Sequence, residues 1–340
     1  MTLKISKPLS KILRAQKKFG RLVEASLHLK QKSRSTQRPR AAAPRAALMA
    51  VAEFGSNPGR LSMKLFVPPR VAANPALVVI LHGCRQTPES LEDASGFSRL
   101  ATERGFILLY PQQRDTNNTQ RCFNWFRPSA VTRDRGEVMS IRQMIEHTCR
   151  NRGVDRSRVY IAGLSAGGAL AAALLVSYPK LFAGVAIFAG MPYGAARDAV
   201  SAMRLMKSGS SRSPAEWGDF VRAVSPTQKI WPPISIWQGT GDRVVAPQNA
   251  EACVSQWLNV LKIEAATGRP QQKPWGTLTR WDGSSKTQIS LYQLKHFGHG
   301  LPVSAARSNS SRAADPYVID AGISGPKELM RIWGLKRLPV

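Results

Sequence analysis

The sequence predicts an α/β fold in which a doubly wound, mostly parallel sheet carries helices on both faces. The main observation is that short apolar runs of strand length alternate along the chain with longer stretches of helical periodicity. A second is size: 340 residues with 43% hydrophobic content can bury a large core. No internal repeat is visible. We expect one large domain over residues 51–340, preceded by a basic segment over residues 1–50.

Seven apolar runs bounded by turn residues are predicted to be strands. They are residues 61–67, 76–81, 106–110, 159–161, 183–188, 234–238 and 287–294. The first alternates apolar and polar residues, as an edge strand does. Helical periodicity and start signals predict helices after Gly168 and over residues 87–103, 136–151, 247–260 and 326–333. Residues 195–231 are less regular and are predicted to form an inserted cap segment.

The first 50 residues contain 13 lysines and arginines against the single acid Glu24, within a chain of net charge +28. Apolar residues at loosely helical spacing predict a basic amphipathic helix up to Lys30, and residues 31–44 are typical of a flexible linker. Such a segment either only aids solubility or binds an anionic surface, such as a granule coat or acidic lipid. Nucleic acid is not expected to be its main partner.

No apolar run near the start is long enough for a signal-peptide core, and no later run is long enough to span a bilayer. This favours a cytoplasmic location, with an organellar transit peptide as an alternative. The four cysteines lie far apart, so neither a zinc site nor any other metal or cofactor is expected. Free thiols are the simplest interpretation, although Cys84 and Cys122 both follow strands and could pair in an oxidising compartment.

The most informative stretch reads Gly163-Leu164-Ser165-Ala166-Gly167. An apolar, β-branched run precedes it and an Ala/Leu-rich helical segment follows it. This context is typical of a nucleophile elbow, where flanking glycines permit a tight turn that exposes the serine hydroxyl at the carboxyl end of the sheet. The pattern predicts that Ser165 is a catalytic nucleophile.

A serine hydroxyl is weakly nucleophilic and needs a histidine base oriented by a carboxylate. In folds with this elbow, the chain order is serine, acid, histidine. Asp242 follows a predicted strand in a glycine-rich turn, a setting that the other aspartates considered, Asp198, Asp219 and Asp282, lack. Only two histidines come after the serine, and we favour His299, between two glycines, over His296, which ends a strand.

Acyl transfer by a serine also requires two backbone N–H groups that stabilise the oxyanion of the tetrahedral intermediate. Ala166, directly after the serine, is expected to supply one. Cys84, in the loop after the predicted strand 76–81, is expected to supply the other through its backbone alone. The adjacent His82 is interpreted as a structural residue under this loop rather than a catalytic one.

Six motifs occur in the order seen in the poly(3-hydroxybutyrate) depolymerase family of esterases, which is related to feruloyl and acetylxylan esterases. The motifs are His82-Gly83-Cys84-Arg85-Gln86, Asn124-Trp125-Phe126 and residues 163–168, 191–196, 239–242 and 298–302. The chain therefore resembles this family from about residue 61 to residue 335. The resemblance implies an α/β-hydrolase fold and a triad of Ser165, Asp242 and His299.

The chain also departs from the family pattern. Gln238 stands where a histidine commonly ends the strand before the acid. The linker, polymer-binding domain and signal peptide of secreted depolymerases are not seen, although the secreted members make an extracellular location an alternative. These differences bear on the use of crystalline extracellular polymer more than on ester hydrolysis.

These observations predict a cofactor-free serine esterase that acts through an acyl-enzyme on poly(3-hydroxybutyrate) or short 3-hydroxyacyl esters. A feruloyl or acetylxylan esterase is the alternative, and a protein that mainly binds a surface through its basic segment is a second one. Trp125, Tyr193 and Trp237 are candidates for the lining of an acyl pocket, although core packing is the competing interpretation for each.

Overall fold

The computed structural model describes residues 47–283, 288–304 and 315–339. The amphipathic helix and the linker expected before residue 45 lie outside the described residues. In the described ranges, no helix combines the length and the apolar character needed to cross a bilayer.

A ten-stranded sheet forms the centre of the fold, in the order β1-β2-β4-β3-β5-β6-β7-β10-β9-β8. Its six central strands, from β4 to β10, pair in parallel, whereas β1, β2, β8 and β9 pair antiparallel at the two sides. The strands are β1 (Met49–Val51), β2 (Ser62–Phe66), β3 (Leu77–Leu81), β4 (Ile107–Gln112), β5 (Val159–Leu164), β6 (Gly184–Phe188), β7 (Ile234–Gly239), β8 (Arg269–Lys273), β9 (Gly276–Asp282) and β10 (Gln288–Leu294). A separate parallel pair joins β11 (Leu301–Val303) to β12 (Val318–Asp320).

Helices cover both faces of the sheet, as the sequence predicted. They are α1 (Pro88–Ser95), α2 (Phe97–Arg104), α3 (Pro128–Val131), α4 (Gly136–Arg152), α5 (Ala166–Ser177), α6 (Ala199–Ser208), α7 (Pro214–Val224), α8 (Gln248–Leu261) and α9 (Gly325–Ile332). The core on one face includes residues of α4, α5 and α8, and the core on the other includes residues of α1, α2 and α9. Each parallel strand is therefore buried on both sides, which explains its continuous apolar sequence.

Four local expectations need correction. The predicted helix 87–103 is two helices, because Gly96 takes a left-handed conformation with φ 71°. The predicted edge strand is second from the edge, since β1 pairs with β2 outside it. Residues 195–231 contain two regular helices, α6 and α7. The β8–β9 hairpin was not predicted because every residue of β8 is exposed and so shows no apolar periodicity.

Candidate active site

Ser165 occupies a sharp turn between β5 and α5. Its backbone has φ 56° and ψ −117°, and its N–H donates to the carbonyl of Phe188 at 2.8 Å. A Cβ atom on Gly163 would lie 2.2 Å from the carbonyl oxygen of Gly167, and one on Gly167 would lie 2.5 Å from that of Leu81. Only glycine fits at either position. The two glycines thus permit the close approach that holds Ser165 in a strained conformation at the carboxyl end of the sheet.

Asp242 and His299 meet across 57 residues of chain. The Nδ1 atom of His299 lies 2.8 Å from Oδ2 of Asp242, and both side chains are almost completely buried. Asp242 lies in the turn after β7, and His299 lies in the loop between β10 and β11. With Nδ1–H donated to Asp242, the Nε2 atom of His299 keeps its lone pair.

The carboxylate of Asp242 is held by further donors. Its Oδ1 atom accepts from the N–H groups of Val244 at 2.8 Å and Val245 at 2.9 Å, and its Oδ2 atom accepts from Nε2 of Gln238 at 3.0 Å. Burial pushes the pKa of Asp242 upward, but the charge and hydrogen bond of His299 and the two backbone donors outweigh it and hold this pKa below its usual value. Asp242 is therefore ionised at neutral pH and fixed in orientation.

The loop after β3 brings a backbone amide to the same site. Gly83 N–H donates to Oε1 of Gln86, Arg85 N–H to Gln120 O, and Gln86 N–H to Gly83 O. In the part of the chain that the structure describes, Cys84 N–H has no such acceptor. Cys84 itself lines the cleft beside Ser165. This arrangement fits the expected use of its amide toward an oxyanion.

The sequence did not reveal the support for this loop. Buried Gln86 donates through Nε2 to Oδ1 of Asp315 at 3.0 Å while its Oε1 atom holds Gly83 N–H at 2.7 Å. Asp315 also accepts from Tyr317 N–H at 2.9 Å, and Tyr317 packs edge-on against His299. Gln86 stands inside a quoted motif, but its partner Asp315 is 229 residues away, so no local pattern could have identified the pair.

Cys84 and Cys122 form a disulfide, whereas Cys149 and Cys253 are free and buried. The expectation of free thiols is therefore wrong for the first pair, because two loops at the carboxyl edge bring these cysteines together. The bond ties the Cys84 loop to residues 120–126.

His82 lies under the same loop: its Nε2 atom accepts from Gln113 N–H at 3.1 Å, and its Nδ1 atom lies 2.7 Å from Gly83 O. These bonds match the structural role expected for His82.

A narrow cleft of about 20 Å³ contains both Ser165 and His299. The side chains that were not predicted there are Met206, Val244 and Tyr317, and its other lining residues are Gly83, Cys84 and Leu164. Met206 comes from α6, so part of the predicted cap segment does reach the site.

The three residues proposed for the acyl pocket do not line this cleft. Trp125 packs in the apolar cluster behind it, which also contains Ala166 and Met206. Tyr193 is bonded through its backbone to Gln256. Trp237 is fully buried on the α9 side of the sheet and stacks on Tyr292 at 3.6 Å. The core-packing alternative therefore describes Trp237, and the cleft gives no support to an acyl-pocket role for any of the three.

Within the described ranges, no group of three or more histidine, cysteine, aspartate or glutamate side chains is placed to hold a metal ion. The chemistry available in the cleft is that of a hydroxyl, an imidazole bonded to a carboxylate, and backbone N–H groups. These are the components of acyl transfer by a serine.

Comparison with known proteins identifies relatives of this chain. Residues 61–273 match the family model described as esterase PHB depolymerase. The chain is 38% identical over 292 residues to poly(3-hydroxyalkanoate) depolymerase C of Paucimonas lemoignei, covering 85% of this chain and 70% of that protein. It is 33% identical to feruloyl esterase B of Thermothelomyces thermophilus, covering 70% and 86% of the two chains.

Among solved structures, acetyl xylan esterase from Aspergillus awamori superposes with a TM-score of 0.72 at 23% identity. The match covers 85% of this chain and 100% of that one, and it shows that the two share a fold. The extent of the family match and the identity to the depolymerase then identify the chain: it belongs to the esterase PHB depolymerase family and is a carboxylic-ester hydrolase with the α/β-hydrolase fold.

Proposed function

We propose that Ser165, His299 and Asp242 act as a catalytic triad that cleaves short 3-hydroxyacyl esters and poly(3-hydroxybutyrate). The observation that carries this proposal is the 2.8 Å contact between His299 Nδ1 and Asp242 Oδ2, in a cleft that His299 shares with Ser165. Asp242 fixes the tautomer and orientation of the imidazole, so Nε2 is free to act as the base.

In this mechanism, His299 Nε2 takes the proton of Ser165 as its Oγ atom attacks the ester carbonyl. The N–H groups of Cys84 and Ala166 stabilise the oxyanion of the tetrahedral intermediate. The intermediate collapses to an acyl-enzyme, and the alcohol leaves with the proton from His299. Water, deprotonated by His299, then attacks the acyl-enzyme and releases the acid, which restores Ser165.

The Paucimonas lemoignei relative is named a poly(3-hydroxyalkanoate) depolymerase, which supports a hydroxyacyl ester as the substrate. The feruloyl esterase relatives support aromatic acyl esters as the alternative. The two acyl classes differ most in the width of the group that must enter beside Met206 and Val244. Substrate choice therefore has to be measured rather than inferred from the family.

The test uses four proteins: the natural chain, Ser165→Ala, His299→Ala and His296→Asn. Each is assayed on p-nitrophenyl butyrate, amorphous poly(3-hydroxybutyrate) and methyl ferulate. His296 is the matched control because it is exposed, has φ 56°, a conformation that asparagine tolerates, and uses only its backbone N–H to bind Thr240. We expect the Ser165 and His299 variants to lose roughly 1,000-fold or more in kcat. A fully active Ser165→Ala protein would refute the triad, and activity on methyl ferulate alone would refute the polymer assignment.

We further propose that residues 1–50 tether the enzyme to an anionic surface, as a hydrophobic granule coated with acidic lipid would provide. Their 13 cations against one acid support this proposal. The full chain should sediment with acidic vesicles at low salt and be released as salt rises. Sedimentation that does not depend on salt, or that persists after all 13 lysines and arginines of residues 1–50 are changed to glutamine, would contradict the tether.

A further inference from the structure

A second cavity, of about 370 Å³, lies at the opposite end of the sheet from Ser165. It opens where β6 and β7 begin, at Val185 and Ile234, and the end of α9 closes it with Ile332 and the following residue, Trp333. Ser165 follows the carboxyl end of β5, whereas this cavity lies at the amino ends of the neighbouring parallel strands. The two sites are therefore separate.

The floor of the cavity is a row of residues in register across three strands. Ser235 of β7 pairs with Ser290 of β10, and Ser290 pairs in turn with Arg280 of β9. Two positions further along the same face, the corresponding side chains are Trp237 and Tyr292, which stack and fill the space. The two serines leave a depression that these larger side chains would have filled, and both serine residues are almost completely buried.

Two arginines face this depression, and they are not equivalent. Arg331 holds Glu328 with two hydrogen bonds, of 2.8 Å from Nε and 2.6 Å from Nη2, and the hydroxyl of Tyr292 donates to Glu328 at 2.9 Å. Glu328 is therefore already satisfied. Arg280 is half-buried and lines the cavity, and among the described residues its guanidinium makes no hydrogen bond and no close ion pair. Its charge attracts Glu328 from a distance and helps to lower the pKa of that carboxyl, which Arg331 already binds directly.

A half-buried guanidinium beside a serine hydroxyl is a donor set for a carboxylate, because its planar fork matches the two oxygens. The nearby Glu328 disfavours a dianion such as phosphate, and Trp333 and Ile332 offer apolar contact to an aliphatic chain. We propose that this cavity binds the carboxylate of a short aliphatic acid through Arg280 and Ser290. Acids of this class are what ester hydrolysis releases, but binding here does not depend on the proposed catalytic roles.

The experiment is calorimetric titration of the full chain bearing Ser165→Ala with sodium butyrate, and with sodium phosphate at equal ionic strength. Arg280→Gln removes the guanidinium group that would bind the carboxylate. Ser290→Val removes the hydroxyl and fills part of the cavity with a residue that is favourable in a strand. Arg150→Gln is the control, since Arg150 is an exposed arginine on α4. We expect butyrate to bind at least about 10-fold more weakly to both cavity variants and unchanged to the control.

Equal butyrate affinity in Arg280→Gln and the parent, or no measurable butyrate binding to the parent, would overturn the proposal. Tighter binding of phosphate than of butyrate would also overturn it, because the site would then recognise anions in general. Folding of each variant is checked in the Ser165 background by its melting temperature. Esterase activity of Arg280→Gln with Ser165 intact should be unchanged. If the natural chain proved inactive on every ester, the proposed function would fail while the butyrate titration remained a valid test of this site.

Discussion

Gln238 donates a 3.0 Å hydrogen bond to Asp242 Oδ2, the same oxygen that accepts the bond of His299. The Nε2 atom of Gln238 also lies 3.1 Å from the carbonyl oxygen of Val245, so the amide links both ends of the Asp242 turn. Its Oε1 atom is buried without a partner in the described part of the chain. Burying this oxygen without a partner is unfavourable, so we infer that Gln238 is retained because its N–H group positions Asp242.

Replacing Gln238 by leucine should lower kcat about 10-fold while KM changes less than about threefold, because one hydrogen bond that orients Asp242 is lost. Gln238→His, the residue more usual in the family, should retain more activity than Gln238→Leu. The measurement is steady-state kinetics on p-nitrophenyl butyrate, with melting temperatures to exclude misfolding. An equal loss in both variants would contradict this prediction, because a histidine donor would then not replace the amide.

Breaking the Cys84–Cys122 disulfide should impair both stability and turnover. The bond closes a sequence separation of 38 residues, so its loss is expected to cost roughly 3–4 kcal/mol. It should also free the Cys84 amide from its position and lower kcat about 10-fold. The measurements are kcat and the number of free thiols in the denatured protein, each determined before and after treatment with reductant. The Cys84→Ala/Cys122→Ala protein, which keeps the amide, should not respond to reductant; full activity after complete reduction would contradict this prediction.

Met206 should limit the length of the acyl group that enters the cleft. The cleft beside Ser165 is only about 20 Å³, and Met206 is a flexible side chain on its wall. In Met206→Ala, the ratio of kcat/KM for p-nitrophenyl octanoate to that for the acetate should rise about 10-fold. Met203→Ala is the control, since Met203 lies on the same helix and packs against the same cluster without lining the cleft. An equal change in both variants would indicate general loosening of α6.

The buried His82 should make the fold sensitive to acid. Burial, and to a smaller extent the charge of Arg121, lower the pKa of His82 to about 4, against the opposing bond to Gly83. In the unfolded chain His82 binds a proton near pH 6.5, whereas in the folded protein it does so only near pH 4. The free energy of unfolding is therefore at its full value above pH 6.5 and decreases as the pH falls toward 4. Between pH 6.5 and 5, the decrease is expected to be about 2 kcal/mol.

Urea unfolding at pH 7.5, 6.5 and 5.0 tests this contribution. In His82→Gln, which is less stable at pH 7.5 because a buried bond is altered, the decrease between pH 6.5 and 5 should be smaller by about 2 kcal/mol. Parallel pH dependence in the two proteins would show that other groups carry the effect.

The sequence alone determined the sheet, most of its strands and the chain order of the three proposed triad residues. These features are local: a strand, a glycine-flanked turn and a helix are encoded by adjacent residues, and Gly163 and Gly167 act within one turn. Parallel strands then bring their carboxyl ends to one edge, so residues that follow different strands can be predicted to meet there.

Only the tertiary structure decided which side chains meet across long sequence separations. The Cys84–Cys122 bond, the contact of Gln86 with Asp315 and the entry of Met206 into the cleft all depend on the paths of loops, which no periodicity records. Trp237 adjoins Gln238 in sequence, yet it packs on the α9 side and stacks on Tyr292 instead of lining the cleft. Successive strand residues face opposite sides, so proximity in sequence to the site did not mean proximity in space.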